Sequence, residues 1–368
     1  MKYQNPAIKG FHPDPSVCFD GQDFYLVIST FEFFPGVPVF RSRNLVNWEL
    51  IGHCLTEEEQ LPLGECRPSG GIYAPTIRYH EGIYYMVTTN VSCGGHLIVH
   101  TKNPAGKWSA PVSVEQDGID PSLLFDGDKV YFVSTLFQDG RQAIAMCEID
   151  PLTGEKRTPS TVISHGCGGK FPEAPHQYRI GEYYYLMLAE GGTEYGHMVT
   201  ISRSKSPYGP YKPCPHNPIL THRDEQVNPI QCTGHADLVQ DANGNWWMVC
   251  LAVRPIGTLL HNLGRETCLA PVKWENGWPV VGNGGRIAVD MDAPCRRSHL
   301  LPALISTTRL TALSCVLNGR LSATRARNCT HRHHRDYGSK ETAHRCPIRV
   351  RLLRAYGKQS LSPARRWS

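Results

Sequence analysis

Three acidic side chains stand at, or directly before, matching places along the chain and could together perform general acid–base chemistry. Asp14 and Asp120 each open an Asp-Pro-Ser sequence, and Glu173 precedes Ala-Pro in PEAPH. Crowded acids repel one another, so at least one is expected to stay protonated near neutral pH. A protonated acid beside an ionised base is the pair that cleavage of a glycosidic bond requires. For each aspartate taken alone, an interpretation as a turn cap stays open.

A segment that occurs five times contains Asp14 and Asp120 as opening residues, and Glu173 directly precedes its fourth copy. Its copies read DPSVCFDGQDFYLV from Asp14, APTIRYHEGIYYMV from Ala74, DPSLLFDGDKVYFV from Asp120, APHQYRIGEYYYLM from Ala174 and HADLVQDANGNWWMV from His235. An apolar strand, a polar turn and an aromatic-rich strand form the pattern of a β-hairpin. The copies begin 60, 46, 54 and 61 residues apart, which is about the length of a propeller blade. The sequence therefore predicts an all-β, five-bladed β-propeller, with a β-sandwich as the alternative.

The opening residues of the repeats are expected to meet at one place. The first strand of every propeller blade lines the central channel, so equivalent residues converge on the axis. Asp14, Asp120 and Glu173 should therefore face one pocket, although they are far apart in sequence. A proline follows the opening residue in the first four repeats. We expect it to hold that residue in an extended conformation.

The C-terminal part of the chain breaks the pattern. Residues 295–368 contain 16 Lys or Arg and only two acids, whereas the preceding part contains 22 basic and 31 acidic residues. We predict a propeller over residues 1–294 and a basic, poorly structured tail over residues 295–368. Our hypothesis for the break is a change of reading frame near residue 295. A nucleic-acid-binding tail is the competing interpretation, but no recognition motif accompanies the charge, so we expect no nucleic-acid partner.

Other compositional features exclude several classes of protein. The 14 cysteines lack CxxC or metal-like spacing, so we expect free thiols and no metal cluster. Apolar runs stay shorter than the roughly 18 residues of a membrane-spanning helix, and the first residues lack a secretory-signal pattern. A cytoplasmic protein without a membrane partner is therefore expected.

Eight longer motifs run from about residue 3 to about residue 294. They read NPAIKGFHPDPSV, STFEFFPGVPVF, GGIYAPTIRYHEG, GIDPSLLFDGDKVYF, FPEAPHQY, AEGGTEYGH, GHADLVQ and LGRETCLAPVKW. In this order they resemble the bacterial β-xylosidases of glycoside hydrolase family 43. The resemblance implies an inverting exo-glycosidase that releases xylose from the non-reducing ends of β-1,4-xylo-oligosaccharides, often with α-L-arabinofuranosidase activity. It also implies a β-sandwich after the propeller, in whose place this chain has the basic tail.

Carried onto this sequence, the resemblance implies a role for each matching residue. Asp14 would be the general base, Glu173 the general acid and Asp120 the acid that tunes their pKa values. The implied sugar-binding residues are Phe31, Tyr73, Ala74, His235 and Arg265. No cofactor is implied as required, although His235 could hold a structural calcium ion in the channel through water.

One position departs from the family pattern. Ala174 stands where the family usually has glycine. If the backbone there needs a positive φ, the added methyl group is expected to misplace the neighbouring Glu173.

Two other functional hypotheses stay open. One is a different five-bladed glycosidase, either a retaining fructan-processing enzyme or an endo-acting arabinanase. The other is a carbohydrate-binding or inactive propeller remnant, which Ala174 and the missing sandwich sequence favour.

Overall fold

Five antiparallel sheets surround a central channel and form a five-bladed β-propeller, which confirms the predicted fold. The structure is a computed structural model that describes residues 2–64, 66–257 and 260–292. Within these ranges all regular structure is strand, and no helix is long and apolar enough to cross a membrane. The predicted tail lies outside the described residues, and the boundary at residue 294 stays a prediction.

Each blade pairs consecutive strands antiparallel, starting from the strand that lines the channel. Blade 1 contains β2 (Ser16–Phe19), β3 (Phe24–Val27), β4 (Gly36–Ser42) and β5 (Glu49–Leu55). Blade 2 contains β6 (Thr76–His80), β7 (Ile83–Asn90), β8 (Gly95–Thr101) and β9 (Val112–Val114). Blade 3 contains β10 (Ile119–Asp126), β11 (Lys129–Gln138), β12 (Arg141–Glu148) and β13 (Thr161–Ser164).

The last two blades follow the same plan with one addition. Blade 4 contains β14 (Glu173–Ile180), β15 (Tyr183–Glu190), β16 (Met198–Ser204) and β17 (Lys212–Pro213). A short extra strand, β18 (Leu220–Thr221), also pairs with β16. Blade 5 contains β19 (Gln231–Gln240), β20 (Trp246–Val253), β21 (Glu266–Glu275) and β22 (Trp278–Val281). The five repeats found in the sequence thus supply the first two strands of the five blades.

The aromatic and aliphatic side chains of the repeats fill the spaces between blades. Five clusters of buried residues each join two neighbouring blades, and the fifth joins blade 5 to blade 1. In that fifth cluster Trp247 packs in the same core as Leu26. Burying such side chains is the main favourable contribution to folding, at roughly 1.5–3 kcal/mol for each large one. The interblade cores therefore fix the position of each channel-lining strand.

The N-terminal segment closes the ring. β1 (Lys2–Gln4) pairs with β23 (Asp290–Asp292), with Tyr3 opposite Met291. The hydroxyl of Tyr3 donates a hydrogen bond to the carbonyl oxygen of Leu269 in blade 5, at 2.9 Å. The channel-lining strand β19 also contacts β2. Residues near the two ends of the propeller are therefore held beside each other, which brings Asp14 next to blade 5.

The expectation of an extended conformation before proline was wrong for Asp14, Asp120 and Ala174, which adopt a left-handed backbone conformation. His235, which no proline follows, adopts the same conformation. The angle φ is 56° at Asp14, 54° at Asp120, 50° at Ala174 and 44° at His235. In blades 3, 4 and 5 the strand pairing shifts its register at the same place, as in a β-bulge. Each such residue costs about 1–2 kcal/mol, and at Asp14, Asp120 and Ala174 the preference of a residue before proline for extended backbone is overridden. Strain of this kind concentrates at functional sites.

Candidate active site

Asp14 lies just before β2 and is held by three blade-1 and blade-5 side chains. Arg265 Nη1 donates a hydrogen bond to Asp14 Oδ1 at 2.6 Å, and Ser29 Oγ donates one to Oδ2 at 2.6 Å. His235 Nδ1 lies 3.7 Å from Oδ1. Burial by itself would raise the pKa of Asp14, but the positive charge of Arg265, followed by His235 and the Ser29 hydroxyl, holds it below its ordinary value. Asp14 is therefore an ionised carboxylate at neutral pH.

Glu173, at the start of β14, has the opposite electrostatic environment. Burial raises its pKa above the ordinary value, and the negative charge of Asp14 raises it further. Gln142 Nε2 donates a hydrogen bond to Glu173 Oε1 at 2.7 Å. This bond offsets part of the increase in the pKa of Glu173. Glu173 is therefore the carboxyl group of this pair that keeps its proton more readily.

Asp120 on β10 interacts with both of the other acids. Its pKa lies well above the ordinary value because of burial, then because of the charges of Glu173 and Asp14. The backbone N–H of Ala174 donates to Asp120 Oδ2 at 3.2 Å. The structure thus brings together the three carboxyl groups that the repeats predicted to converge, from blades 1, 3 and 4.

Ala174 does have the positive φ on which its predicted effect depended. However, Asp14, Asp120 and His235 take the same conformation with larger side chains, and Ala174 is buried with 3% exposure. Glu173 still interacts with Asp14 and contacts Gln142. The bulge therefore accepts a Cβ atom at this position, and the displacement of Glu173 stays a prediction.

Aromatic rings line the approach to Asp14. The Phe31 ring lies 5.5 Å from the ring of Tyr73, and the guanidinium of Arg265 lies 5.3 Å from the Phe31 ring centre. Phe11, which the sequence analysis did not single out, lies 5.9 Å from Phe31. Of the predicted contact residues, Arg265 and His235 thus lie against Asp14, whereas Phe31 packs against Arg265 and Tyr73 against Phe31. Ala74, the fifth, is buried at the start of the blade-2 channel strand.

The sequence pattern of the glycosyl hydrolases family 43 matches residues 3–279. The chain belongs to this family. It is 48% identical over 303 residues to the non-reducing end α-L-arabinofuranosidase BoGH43B of Bacteroides ovatus, a match that covers 81% of this chain and 57% of that protein. It is 49% identical over 307 residues to a xylosidase/arabinosidase of Butyrivibrio fibrisolvens, covering 79% of this chain and 59% of that protein.

Solved structures of family 43 have the same fold. The structure described as Bacteroides ovatus xyloglucan PUL GH43B superposes with a TM-score of 0.78 at 48% identity, covering 81% of this chain and 60% of that one. The GH43 BlXynB protein from Bacillus licheniformis gives a TM-score of 0.75 at 39% identity, with 81% and 60% covered. This family 43 chain therefore spans less than two thirds of the length of these relatives.

A second histidine of this family 43 site escaped the sequence analysis. His197, next to β16, is buried, and its Nδ1 lies 3.0 Å from the carbonyl oxygen of Cys232. Burial lowers its pKa to about 4 and also lowers the pKa of His235. Both imidazoles are therefore neutral near pH 7, which leaves Arg265 as the permanent positive charge beside Asp14. His197 ends the AEGGTEYGH motif, which was the signal that could have revealed it.

The histidines do not form a metal centre within the described residues. No group of three or more His, Cys, Asp or Glu side chains there is arranged to hold a metal ion. His235 instead points Nδ1 toward Asp14. The calcium ion that His235 suggested stays an untested prediction, and no chemical step below depends on it.

A buried polar network lies two residues farther along the channel strands. Its centre is Asp237, whose two oxygens lie 2.7 and 3.1 Å from the guanidinium nitrogens of Arg78. Further hydrogen bonds to Asp237 come from Ser16 Oγ at 2.6 Å, Val17 N at 3.1 Å, Tyr178 OH at 2.7 Å and Leu238 N at 2.9 Å. His176 Nδ1 contacts Arg78 at 2.8 Å. This network, the channel floor, ties together blades 1, 2, 4 and 5.

Proposed function

We propose that this chain is an inverting exo-glycosidase that removes xylose from the non-reducing ends of β-1,4-xylo-oligosaccharides and also cleaves α-L-arabinofuranosides. The observation that carries this proposal is that the pKa values of two interacting acids in one site are shifted in opposite directions. Arg265 lowers the pKa of Asp14, whereas burial and Asp14 raise the pKa of Glu173. One fold thereby supplies an ionised base and a protonated acid at the same pH.

The reaction needs one proton to be given and one to be taken. Glu173 donates its proton to the glycosidic oxygen as the bond from that oxygen to the anomeric carbon breaks. A water molecule attacks the anomeric carbon from the opposite face, and Asp14 takes a proton from that water. The products are a free pentose and the remainder of the substrate, which now ends in a hydroxyl group. Glu173 is left ionised and Asp14 protonated until proton exchange with solvent returns both to their starting states. Asp120, whose own pKa is raised by burial and then by the charges of Glu173 and Asp14, is assigned the role of tuning the pKa values of these two acids.

The surrounding residues support a small pentose as the sugar bound. Phe31 and Tyr73 offer ring faces and edges against which the C–H groups of a sugar can pack. Arg265 presents further N–H donors, and its fork suits vicinal hydroxyl groups as well as Asp14. The names of the relatives include both xylosidase and arabinosidase activities, which supports testing both pentoses.

The proposal is tested with two substrates that differ in their leaving group. Wild type, Asp14→Ala and Glu173→Ala are assayed with 4-nitrophenyl β-D-xyloside and with xylobiose, and the arabinofuranoside is assayed in parallel. Because 4-nitrophenolate leaves without protonation, Glu173→Ala should lose far less activity on it than on xylobiose. Asp14→Ala should lose about 10²- to 10⁴-fold on both substrates.

Other outcomes would support the competing functions. Retained sugar binding without turnover by the wild type would indicate a carbohydrate-binding propeller and overturn the enzyme proposal. Internal cleavage of long arabinan, with no release from chain ends, would indicate an endo-acting arabinanase. Equal losses of both variants on both substrates would contradict the assigned acid and base.

A further inference from the structure

The residue that contacts Glu173 comes from the neighbouring blade. Gln142 is the second residue of β12 and pairs across the hairpin with Phe137 of β11. It is half-buried, and its Nε2 donates to Glu173 Oε1 at 2.7 Å, from blade 3 to blade 4. The main-chain pairing of β11 with β12 fixes the Gln142 backbone independently of Glu173. The donor is therefore held in place by a different sheet from the acid it contacts.

The amide group of Gln142 is suited to an acid that must release its proton. An N–H donor stabilises a carboxylate more than a carboxylic acid, and hydrogen bonds to charged groups contribute about 1.5–3 kcal/mol. The interaction therefore strengthens while Glu173 passes its proton to the leaving oxygen. It also opposes burial and Asp14, which both raise the pKa of Glu173. Without the amide, Glu173 would hold its proton more tightly than the reaction requires.

The contact also distinguishes the two oxygens of Glu173. Because Oε1 accepts the hydrogen bond from Gln142, Oε2 is left to carry the proton that is transferred. We propose that Gln142 is a positioning residue that holds Oε1 of Glu173 and thereby turns Oε2 toward the leaving oxygen. This inference rests on the proposed function, since it assigns a role to Gln142 only if Glu173 is the acid.

The test compares variants of the full chain at one hairpin. Gln142→Leu removes the donor at similar volume, Gln142→Glu replaces it with a negative charge, and Gln138→Ala changes an exposed residue of the same hairpin as a control. The pH dependence of kcat/KM and the separate kcat and KM values are measured on xylobiose and 4-nitrophenyl β-D-xyloside. Thermal unfolding of each variant is recorded to show that the fold is intact.

Gln142→Leu should lower kcat on xylobiose about ten- to a hundredfold, with a smaller loss on the nitrophenyl substrate and little change in KM. The alkaline limb of its pH profile should move to higher pH, because that limb reports the protonated acid. Gln142→Glu should move it further, and Gln138→Ala should match the wild type. If Gln142 had a merely structural role, Gln142→Leu would lower kcat equally on both substrates and would leave the pH profile unchanged.

Two results would overturn the inference, and they are distinguishable. If Glu173→Ala shows the expected dependence on the leaving group but Gln142→Leu has the pH profile of the wild type, the role of Gln142 is wrong while the proposed function stands. If Glu173→Ala itself shows no such dependence, the proposed function fails and the role of Gln142 fails with it.

Discussion

Two aspartates in the same channel, Asp120 and Asp237, are buried to a similar degree but are held in opposite ways. Asp237 is fully buried and is contacted by a guanidinium, two hydroxyl groups and two backbone N–H groups. Burial alone would raise its pKa, but Arg78 and then His176 hold the pKa well below the ordinary range. Asp120 has a backbone N–H as partner, and burial, followed by the charges of Glu173 and Asp14, raises its pKa.

The difference shows that burial does not decide the charge of a carboxyl group in this channel. The neighbouring groups decide the charge. Asp237 lies only two residues beyond His235, the opening residue of the fifth repeat, so the two environments are close together along the channel. The channel floor satisfies each oxygen of Asp237, whereas the layer of Asp14, Asp120 and Glu173 combines like charges with left-handed backbone. The channel floor stabilises the fold. The acids of the layer above it destabilise the fold but have the pKa values that the reaction needs, a trade-off that is common in active sites.

The largest effect is expected from breaking the floor. Asp237→Asn leaves the Arg78 guanidinium, on a side chain that is 15% exposed, without its counterion. Loss of one partner of a buried ion pair costs about 3–5 kcal/mol. Urea unfolding at neutral pH should show this loss as a lower free energy of unfolding. Arg78→Met with Asp237→Asn, which removes both charges and keeps an acceptor for the other donors, serves as the control and should recover much of the stability. A change below 1 kcal/mol for Asp237→Asn would contradict the account of the floor.

The same substitution at Asp120 should act in the opposite direction. Asp120→Asn removes a carboxyl group that two acids destabilise, so it should raise the free energy of unfolding near pH 7 by about 0.5–2 kcal/mol. Its activity should fall, because the acid to which we assign the tuning of Asp14 and Glu173 is removed. Equilibrium unfolding and kcat/KM, measured on one preparation, give both values.

The pH dependence of that gain checks its cause. A carboxyl group whose pKa is raised by folding favours the folded state below its unfolded pKa, about 3.9, and this contribution is lost as pH rises through the folded pKa. The advantage of Asp120→Asn should therefore vanish near pH 3 and grow toward neutral pH. An advantage that is constant with pH would show that packing, rather than charge, explains it.

The smallest effect is expected from the backbone of the upper layer. Ala174→Gly removes a Cβ atom from a residue at φ 50°, and should stabilise the protein by about 0.5–1 kcal/mol, since a left-handed residue costs about 1–2 kcal/mol and glycine loses part of that gain as entropy. Differential scanning calorimetry measures the change. Because the bulge already accepts Ala174, kcat should stay within about twofold of the wild type. A large gain in kcat would mean that alanine does displace Glu173.

The repeats explain why the layer of acids could be predicted from the sequence. Equivalent positions in equivalent blades converge on the axis, so Asp14, Asp120 and Glu173 could be brought together without coordinates. The floor and Gln142 could not be predicted in this way. Their partners sit at different positions of different repeats and differ in residue type, as Arg78 and Asp237 do, and only the packing of blades pairs them. The left-handed backbone was missed because the prolines suggested extended structure.

The measurement that tests the central claim most directly is the proton NMR spectrum of xylose in the first moments of hydrolysis of a β-xyloside. If Asp14 activates water on the face opposite to the oxygen that Glu173 protonates, the α-anomer must appear first and the β-anomer only by later mutarotation. First appearance of the β-anomer would mean that a carboxylate of the site forms a covalent intermediate, and it would contradict the assignment of Asp14 as base.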